Sequence, residues 1–297
     1  MKTHNNILFF MLFVIATTAI LFLNENNKLN ETERIKEERY KKIQTTLDIT
    51  PVIAKAISIY DINENRKIYS KNDDAPLPIA SLAKILTVVE GLRGHDMNDV
   101  VYISNNAVKQ AGDFGIFANE KWKISDIAKF TLVVSANDGA YALSEQNDHF
   151  LEIVNNKAVK IGAGNTKYEN PTGLDVYREN KNEPVGVGVT ASAEDVNTMA
   201  IYAMKAYPEI FSATTMPEIN LKSESGFGHD FKNTNILIGK IPNLIFSKTG
   251  YTELAGGNLA IIFEDNTGHQ IAITLLGSTY NGRFDDMEKI VNVLYNF

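Results

Sequence analysis

The chain has no cysteine, which removes thiol nucleophiles, disulfide frameworks and thiolate metal sites and leaves either a reducing or an oxidising compartment open. Histidine is scarce: His4, His95, His149, His229 and His269 are the full set, and no H-E-x-x-H occurs among them, so the common zinc-hydrolase helix is missing. G-x-S-x-G, the nucleophile elbow of another hydrolase class, is also absent. Positive charge is not in surplus, since 29 Lys and Arg stand against 36 Asp and Glu for a formal net charge of −7. A partner held mainly through phosphate neutralisation needs the reverse balance, and nucleic acid is set aside. No internal repeat or low-complexity tract is present. The 297 residues are 44% hydrophobic and 22% charged, the composition of a globular protein rather than of a disordered, collagenous or multi-pass membrane chain.

Long apolar runs are missing with one exception, residues 7–23 (ILFFMLFVIATTAILFL). It falls at the short end of the roughly 17–25 residues that cross a bilayer as a helix. The best cleavage site it offers, Thr17-Thr18-Ala19, lies inside the run and is a poor one, so an uncleaved anchor is expected over a cleaved signal. Lys2 before the run and the mixed charges after it place the N-terminus inside and the body outside. Residues 24–50 read as a charged helical stalk, with Glu37/Lys41 and Glu38/Lys42 spaced i, i+4 in the favourable order. Three regions follow: an anchor or signal over 1–23, the stalk over 24–50, and a folded body over 51–297, long enough for one sizeable domain.

In the body, residues 54–62 alternate with β-branched and aromatic side chains, and residues 67–70 follow an Asn-Glu-Asn turn, which predicts a hairpin. Residues 258–264 and 270–277 predict two more strands near the far end. Between these, residues 81–92, 123–145, 148–161 and 191–206 carry helical patterns. A last helix over 283–297 places Met287, Ile290, Val291 and Leu294 on one stripe, expected to pack on the sheet rather than on a membrane. The fold class expected is α/β in the broad sense, an α+β sandwich: an antiparallel sheet built from both chain ends, with a helical block inserted between them.

With cysteine and the histidine kits gone, what remains is a serine whose base is not histidine. The chain contains one S-x-x-K, Ser81-Leu82-Ala83-Lys84. Pro76 and Pro78 precede it, and Leu82, Ile85, Leu86, Val89 and Leu92 follow at helical spacing, so Ser81 is expected to begin a buried helix. Positions i and i+3 share a face, bringing the Lys84 amine to the Ser81 hydroxyl. Burial, together with the positive end of the helix dipole, should lower the lysine pKa enough for it to serve as a base. The same helix end offers a backbone N–H to an oxyanion. Alone, the tetrad also reads as an N-cap serine followed by a snorkelling lysine.

Ser135-Ala136-Asn137 interrupts an apolar helical stretch, where a polar pair must find partners; a plain helix break is the other reading. Lys248-Thr249-Gly250 is the one K-T-G, just before Gly256-Gly257 and the strand over 258–264. A lysine and a threonine beside a glycine can hold a carboxylate where a substrate backbone comes close, although a surface turn has the same composition. The conjunction of the three, in this order and in suitable elements, is far more specific than any one of them.

Together with Pro78-Ile79-Ala80 before the tetrad, Asn155-Asn156-Lys157-Ala158, Asn170-Pro171-Thr172-Gly173-Leu174, Asn233-Thr234-Asn235, Tyr251-Thr252 and Gly277-Ser278, these motifs resemble the serine-type D-Ala-D-Ala carboxypeptidases. These are low-molecular-weight penicillin-binding proteins of the S11 peptidase class, with a β-lactamase/D,D-peptidase-like fold, and the resemblance covers most of the body. It implies that Ser81 is the acylated nucleophile and Lys84 its general base. Ser135 would relay a proton to the leaving amine, and Asn137 would orient the substrate amide and Lys84. Lys248 and Thr249, with Gly250 beside them, would bind the terminal carboxylate, and the backbone N–H groups of Ser81 and Tyr251 would form the oxyanion hole. It further implies peptidoglycan stem peptides as substrate, β-lactams as acylating inhibitors, and no metal or organic cofactor.

The sequence departs from that pattern in two respects. Ala83 stands where a hydroxyl residue is frequent, and the chain ends at Phe297, leaving little room for the C-terminal β-domain and membrane-binding helix of longer members. Anchoring to the cell membrane is therefore expected from the N-terminal segment, with secretion if that segment is cleaved. Short members of the family include D,D-endopeptidases that cut cross-links, which is the alternative to carboxypeptidase action. A class A β-lactamase would need a glutamate in E-x-x-L-N, which is absent. Tyr168-Glu169-Asn170 matches the Y-x-N of some relatives but leads into the Asn170–Leu174 turn. A catalytically silent peptidoglycan- or penicillin-binding module is the remaining alternative.

Overall fold

The structure, a computed structural model, describes residues 2–112, 114–177 and 183–297, with the side chains of residues 2–16, 19 and 20 outside that description. The chain divides into two compact units, Met1–Ile49 with Phe297, and Thr50–Asn296. The first is a single helix, α1 (Lys2–Ile49). Along its polar part Lys36 pairs with Glu33 one turn away, and Thr32, Thr45 and Thr46 return their hydroxyls to the carbonyls of Lys28, Lys41 and Lys42. The apolar run of residues 7–23 lies largely outside the described side chains. Among the described residues no helix is long and apolar enough to cross a membrane.

The second unit is built on a five-stranded antiparallel sheet. In spatial order its strands are Leu244–Thr252, Gly256–Glu264, Gln270–Ser278, Ala56–Asp61 and Arg66–Lys71. The N-terminal hairpin therefore docks against the last strand of the C-terminal meander, through a register that pairs Ala56 with Leu276 and Asp61 with Ile271. The two chain ends do make the sheet. Residues 257–263 are buried without alternation, which requires both faces to be covered. Period-2 geometry sorts them. Ala260 and Ile262, with Ala272, Leu276 and Ala56 from neighbouring strands, join the main core cluster, whereas Leu259, Ile261 and Phe263 lie outside it. That second face is covered by α8 (Gly282–Tyr295), whose Phe284, Met287, Ile290, Val291 and Leu294 are buried.

On the core face sits the helical block: α2 (Lys84–Leu92), α3 (Ile124–Val133), α4 (Asn137–Ser144), α5 (Phe150–Lys160), α6 (Ala193–Ala206) and the short α7 (Pro208–Phe211). Every residue of α2 is buried, because α3, α4, α5 and α6 all pack against it. Ser192 caps α6, its hydroxyl accepting the Asp195 N–H, with Glu194 and Asp195 in the first turn.

Two helical expectations need correction. The stretch 123–145 is two helices rather than one, broken at Val134-Ser135-Ala136, with Ser135 left-handed at φ 66°. Ser81 does not open the α-helix. It lies in a 3₁₀ turn, Ala80–Ala83, and Lys84 is the first α-helical residue instead of sitting one turn inside. At the break Ser135 and Asn137 turn to partners on other segments, Lys248 and Lys84, while Ser81 and Lys84 still meet across the 3₁₀ turn.

Candidate active site

Three segments converge where the edge strand Leu244–Thr252 meets the helical block. The first is the Ser81 turn. Ala80 adopts φ 48°, a conformation that costs an L-residue about 1 kcal/mol or more and persists only where its surroundings impose it. They do so from both sides: Ile79 donates its N–H to the Val189 carbonyl at 3.1 Å, and the buried Asn258 side chain donates to the Pro78 carbonyl at 3.0 Å. Gly173, itself at φ 80°, passes so close to the Ala80 carbonyl that no side chain could stand there. The outcome is a half-buried Ser81 above a fully buried Lys84.

Lys84 Nζ has three neighbours, each at 2.7 Å: Ser81 Oγ, Asn137 Oδ1 and the Thr172 carbonyl oxygen. The Asn137 amide is oriented by its other end, where Nδ2 donates to the Ala111 carbonyl at 2.7 Å, so Oδ1 must face the lysine. Asn137 Oδ1 and Thr172 O can only accept. A neutral amine has two N–H bonds and one lone pair. The two acceptors take the N–H bonds and the lone pair is left pointing at the Ser81 hydroxyl, the arrangement of a general base. Burial drives the Lys84 pKa down to about 7, against the opposing pull of the Asp138 carboxylate. The Thr172 carbonyl is held in place by an Asx turn in which Asn170 Oδ1 accepts from the Thr172 N–H, the Thr172 hydroxyl and the Gly173 N–H.

The second segment is the break between α3 and α4. α4 can approach α3 there because Gly139 has no Cβ; one would collide with the Thr131 hydroxyl. The left-handed Ser135 turns its hydroxyl to Lys248 Nζ, 2.8 Å away. The third segment is the strand carrying Lys248 and Thr249, both nearly fully buried. Lys248 Nζ also donates to the Thr249 carbonyl, and the Thr249 hydroxyl meets that of Thr234 at 2.7 Å. Burial holds the Lys248 pKa well below its ordinary value, and the positive charges of Lys84 and Arg283 push it the same way. At Gly250 the strand runs against the Ser81 turn: an added Cβ would lie 2.8 Å from the Ile79 carbonyl and 3.3 Å from the Ser81 nitrogen. Tyr251 follows at the rim, half exposed, its ring edge-on to Tyr280 with centroids 5.0 Å apart.

Ser81, Lys84, Ser135, Asn137, Lys248, Thr249, Gly250 and Tyr251 are thus brought to one place. Sequence reasoning missed the Thr172 carbonyl as a lysine partner, the Thr234 hydroxyl beside Thr249, and Arg283, whose Nη1 donates to the Gly250 carbonyl at 2.7 Å. Arg283 had a legible signal. It lies four residues before Met287, on the same apolar stripe of α8, and a cation on a buried stripe needs a reason.

A half-buried serine over a buried lysine, set between a helical block and an antiparallel sheet and facing a second lysine and two threonine hydroxyls, has the parts of a serine nucleophile with a lysine base. The family model described as D-alanyl-D-alanine carboxypeptidase, S11 peptidases, matches residues 42–279, and the chain belongs to that family. It is 27% identical over 253 residues to D-alanyl-D-alanine carboxypeptidase DacF of Bacillus subtilis (strain 168), covering 82% of this chain and 62% of the relative. A D-alanyl-D-alanine endopeptidase of Escherichia coli (strain K12) is 28% identical over 221 residues, covering 71% of this chain and 67% of that one. This chain therefore spans about two thirds of the length of these relatives. Among solved structures, penicillin-binding protein D2 of Listeria monocytogenes in its ampicillin-bound form superposes with a TM-score of 0.67. It is 25% identical, and the match covers 83% of this chain and 98% of that one.

Proposed function

We propose that the protein is a serine D,D-peptidase that removes the terminal D-Ala from peptidoglycan stem peptides ending in D-Ala-D-Ala. The observation that carries this reading is the Lys84 amine, 2.7 Å from each of Ser81 Oγ, Asn137 Oδ1 and the Thr172 carbonyl oxygen, so that in its neutral form the two acceptors take its N–H bonds and its lone pair is left to Ser81. The Ser81 hydroxyl attacks the carbonyl of the penultimate D-Ala and gives its proton to Lys84, and the oxyanion is received by the backbone N–H groups of Ser81 and Tyr251. As the peptide C–N bond breaks, Ser135, hydrogen-bonded to Lys248, relays to the departing amine the proton that Lys84 took from Ser81, which returns Lys84 to its neutral form. Water, deprotonated by Lys84, then hydrolyses the acyl-enzyme and frees the shortened peptide. Lys248, Thr249 and Thr234 form the carboxylate pocket. Lys248 and Arg283 are both buried beside it, and burial without an anion holds the Lys248 pKa down, so the site favours a ligand that brings a negative charge.

β-Lactams acylate Ser81 in this reading, through the carbonyl that takes the place of the scissile amide. The catalytic unit works on the outer side of the cell membrane, tethered through the N-terminal segment; the apolar run at residues 7–23 supports this. Endopeptidase action on cross-links is the second reading, favoured by the likeness to the Escherichia coli endopeptidase.

One experiment separates the two. The full chain and its Ser81→Ala form are incubated with a mixture of pentapeptide monomers and cross-linked dimers, and the products are weighed by mass spectrometry. Loss of one alanine from monomers is expected. Conversion of dimers to monomers without that loss establishes the endopeptidase, and no Ser81-dependent change in either substrate overturns both readings.

A further inference from the structure

Arg283 opens α8 and is 4% exposed, yet among the described residues no carboxylate pairs with it, and its Nε is buried without a partner. The rings of Tyr280 and Phe284 lie against the guanidinium, each centroid 4.7 Å from its central carbon. The sheet makes room for its arm at Gly257, where a Cβ would come within 3.3 Å of Arg283 Cδ. A desolvated cation without an anion is costly, so a stabilising role alone is a poor account of it. Its Nη1 donates a 2.7 Å hydrogen bond to the Gly250 carbonyl.

That carbonyl belongs to the same peptide unit as the Tyr251 N–H. In a trans peptide the two point in opposite directions, so whatever grips the Gly250 oxygen from behind sets the direction of the Tyr251 N–H in front. A charged donor on the oxygen also polarises the amide and makes its N–H a stronger donor, as in any chain of hydrogen bonds. The strand passes close against the Ser81 turn here, since a Cβ placed on Gly250 would stand 3.3 Å from the Ser81 nitrogen. We propose that Arg283 is a positioning residue of the reaction: its guanidinium fixes and polarises the Gly250–Tyr251 peptide, so that the Tyr251 N–H stands ready beside the Ser81 N–H to receive the oxyanion. The inference rests on the Ser81 acyl-transfer reading above. The Tyr280 ring, held between Arg283 and Tyr251, braces the same peptide from its side-chain end.

The test uses the full chain, Arg283→Met and Arg283→Lys, with a penicillin carrying ¹³C at the lactam carbonyl. Rapid mixing gives the rate of Ser81 acylation and its dependence on penicillin concentration, and infrared difference spectroscopy gives the ester carbonyl frequency of the acyl-enzyme, which falls as the oxyanion donors strengthen. Arg283→Met is expected to slow the saturating acylation rate by roughly 10- to 100-fold, on the scale of weakening one oxyanion donor. Half-saturation should shift little, and the ester carbonyl should move to higher frequency. Arg283→Lys, which keeps the charge on a single donor, is expected to fall between the two. An unchanged carbonyl frequency in a folded Arg283→Met protein, or a loss confined to half-saturation, overturns the proposal. Should the Met form fail to fold, the Lys form decides: a frequency and a saturating rate both equal to those of the unaltered protein overturn it. If the unaltered protein is not acylated at all, it is the serine-peptidase reading that fails.

Discussion

Lys84 has three neighbours and, as an amine, two N–H bonds to give them, so its protonation state decides whether Ser81 faces a lone pair or a proton. With its pKa brought down to about 7 by burial, the acylation rate is expected to rise as pH passes upward through about 7, and stopped-flow acylation between pH 5 and 9 checks this. Stability carries the same signature. Between about pH 7 and the ordinary lysine value, the unfolded chain holds a proton that the folded chain lacks, so stability increases with pH across that window. Below pH 7 both states are protonated and the cost of the buried ammonium is fully present. Lys84→Met should therefore abolish acylation yet melt at a higher temperature than the unaltered protein, with the larger gain at pH 6 than at pH 9; calorimetry at the two values measures it. Ser81, Lys84, Ser135, Asn137, Lys248 and Thr249 were all legible in the sequence because each is a side chain at a recognisable spacing. Thr172 was not, because its contribution is a backbone carbonyl and any residue type could supply it.

The elements show why spacing alone misplaced some boundaries. Residues 123–145 keep a helical apolar period throughout, and only the polar Ser135-Ala136-Asn137 hints at the break. What breaks the helix is tertiary, since Ser135 meets Lys248 and Asn137 meets Lys84, partners more than fifty residues away in either direction. The 3₁₀ turn at Ser81 is likewise imposed from outside, by Gly173 and by Asn258, and no local pattern in residues 76–84 announces it. The short paired segments Leu77–Pro78, Val189–Ala191 and Lys167–Tyr168, which support that turn, are too brief for a period to be read. The turn also provides a comparison between two glycines that share a positive φ. Gly173→Ala would drive a methyl into the Ala80 carbonyl, whereas a methyl at Gly162 would meet nothing within 4 Å. Gly162→Ala is expected to cost about 1 kcal/mol, the backbone strain alone. Gly173→Ala should cost about 3 kcal/mol or more and slow acylation as well, because the Ser81 turn must shift. Denaturant melts with parallel penicillin labelling distinguish the two.

At the scale of the whole molecule, the catalytic unit depends on its two chain ends being held in one sheet, because the edge strand bearing Lys248 is positioned through strands from the C-terminal end while the Ser81 turn follows directly from the N-terminal hairpin. Asp286 of α8, fully buried, is the clasp: its carboxylate accepts the N–H groups of Ile53 and Ala54 and the Ser278 hydroxyl. The apolar stripe of α8 was readable, but Asp286 was not, because the backbone N–H groups it accepts, those of Ile53 and Ala54, lie more than two hundred residues earlier. Asp286→Ala leaves those N–H groups buried and unpaired, and is expected to cost about 2–4 kcal/mol. That corresponds to a melting point lower by about 5–10 °C, with acylation near normal at temperatures where the protein stays folded; differential scanning calorimetry reads the shift. The account as a whole turns on Ser81 becoming covalently attached to substrate with Lys84 as its base. The most direct test is to label the full chain with a fluorescent penicillin, digest it and map the adduct by mass spectrometry, alongside Ser81→Ala and Lys84→Met. The account predicts a single adduct on the peptide containing Ser81, absent from both variants; an adduct elsewhere, or equal labelling of the Lys84→Met form, would contradict it.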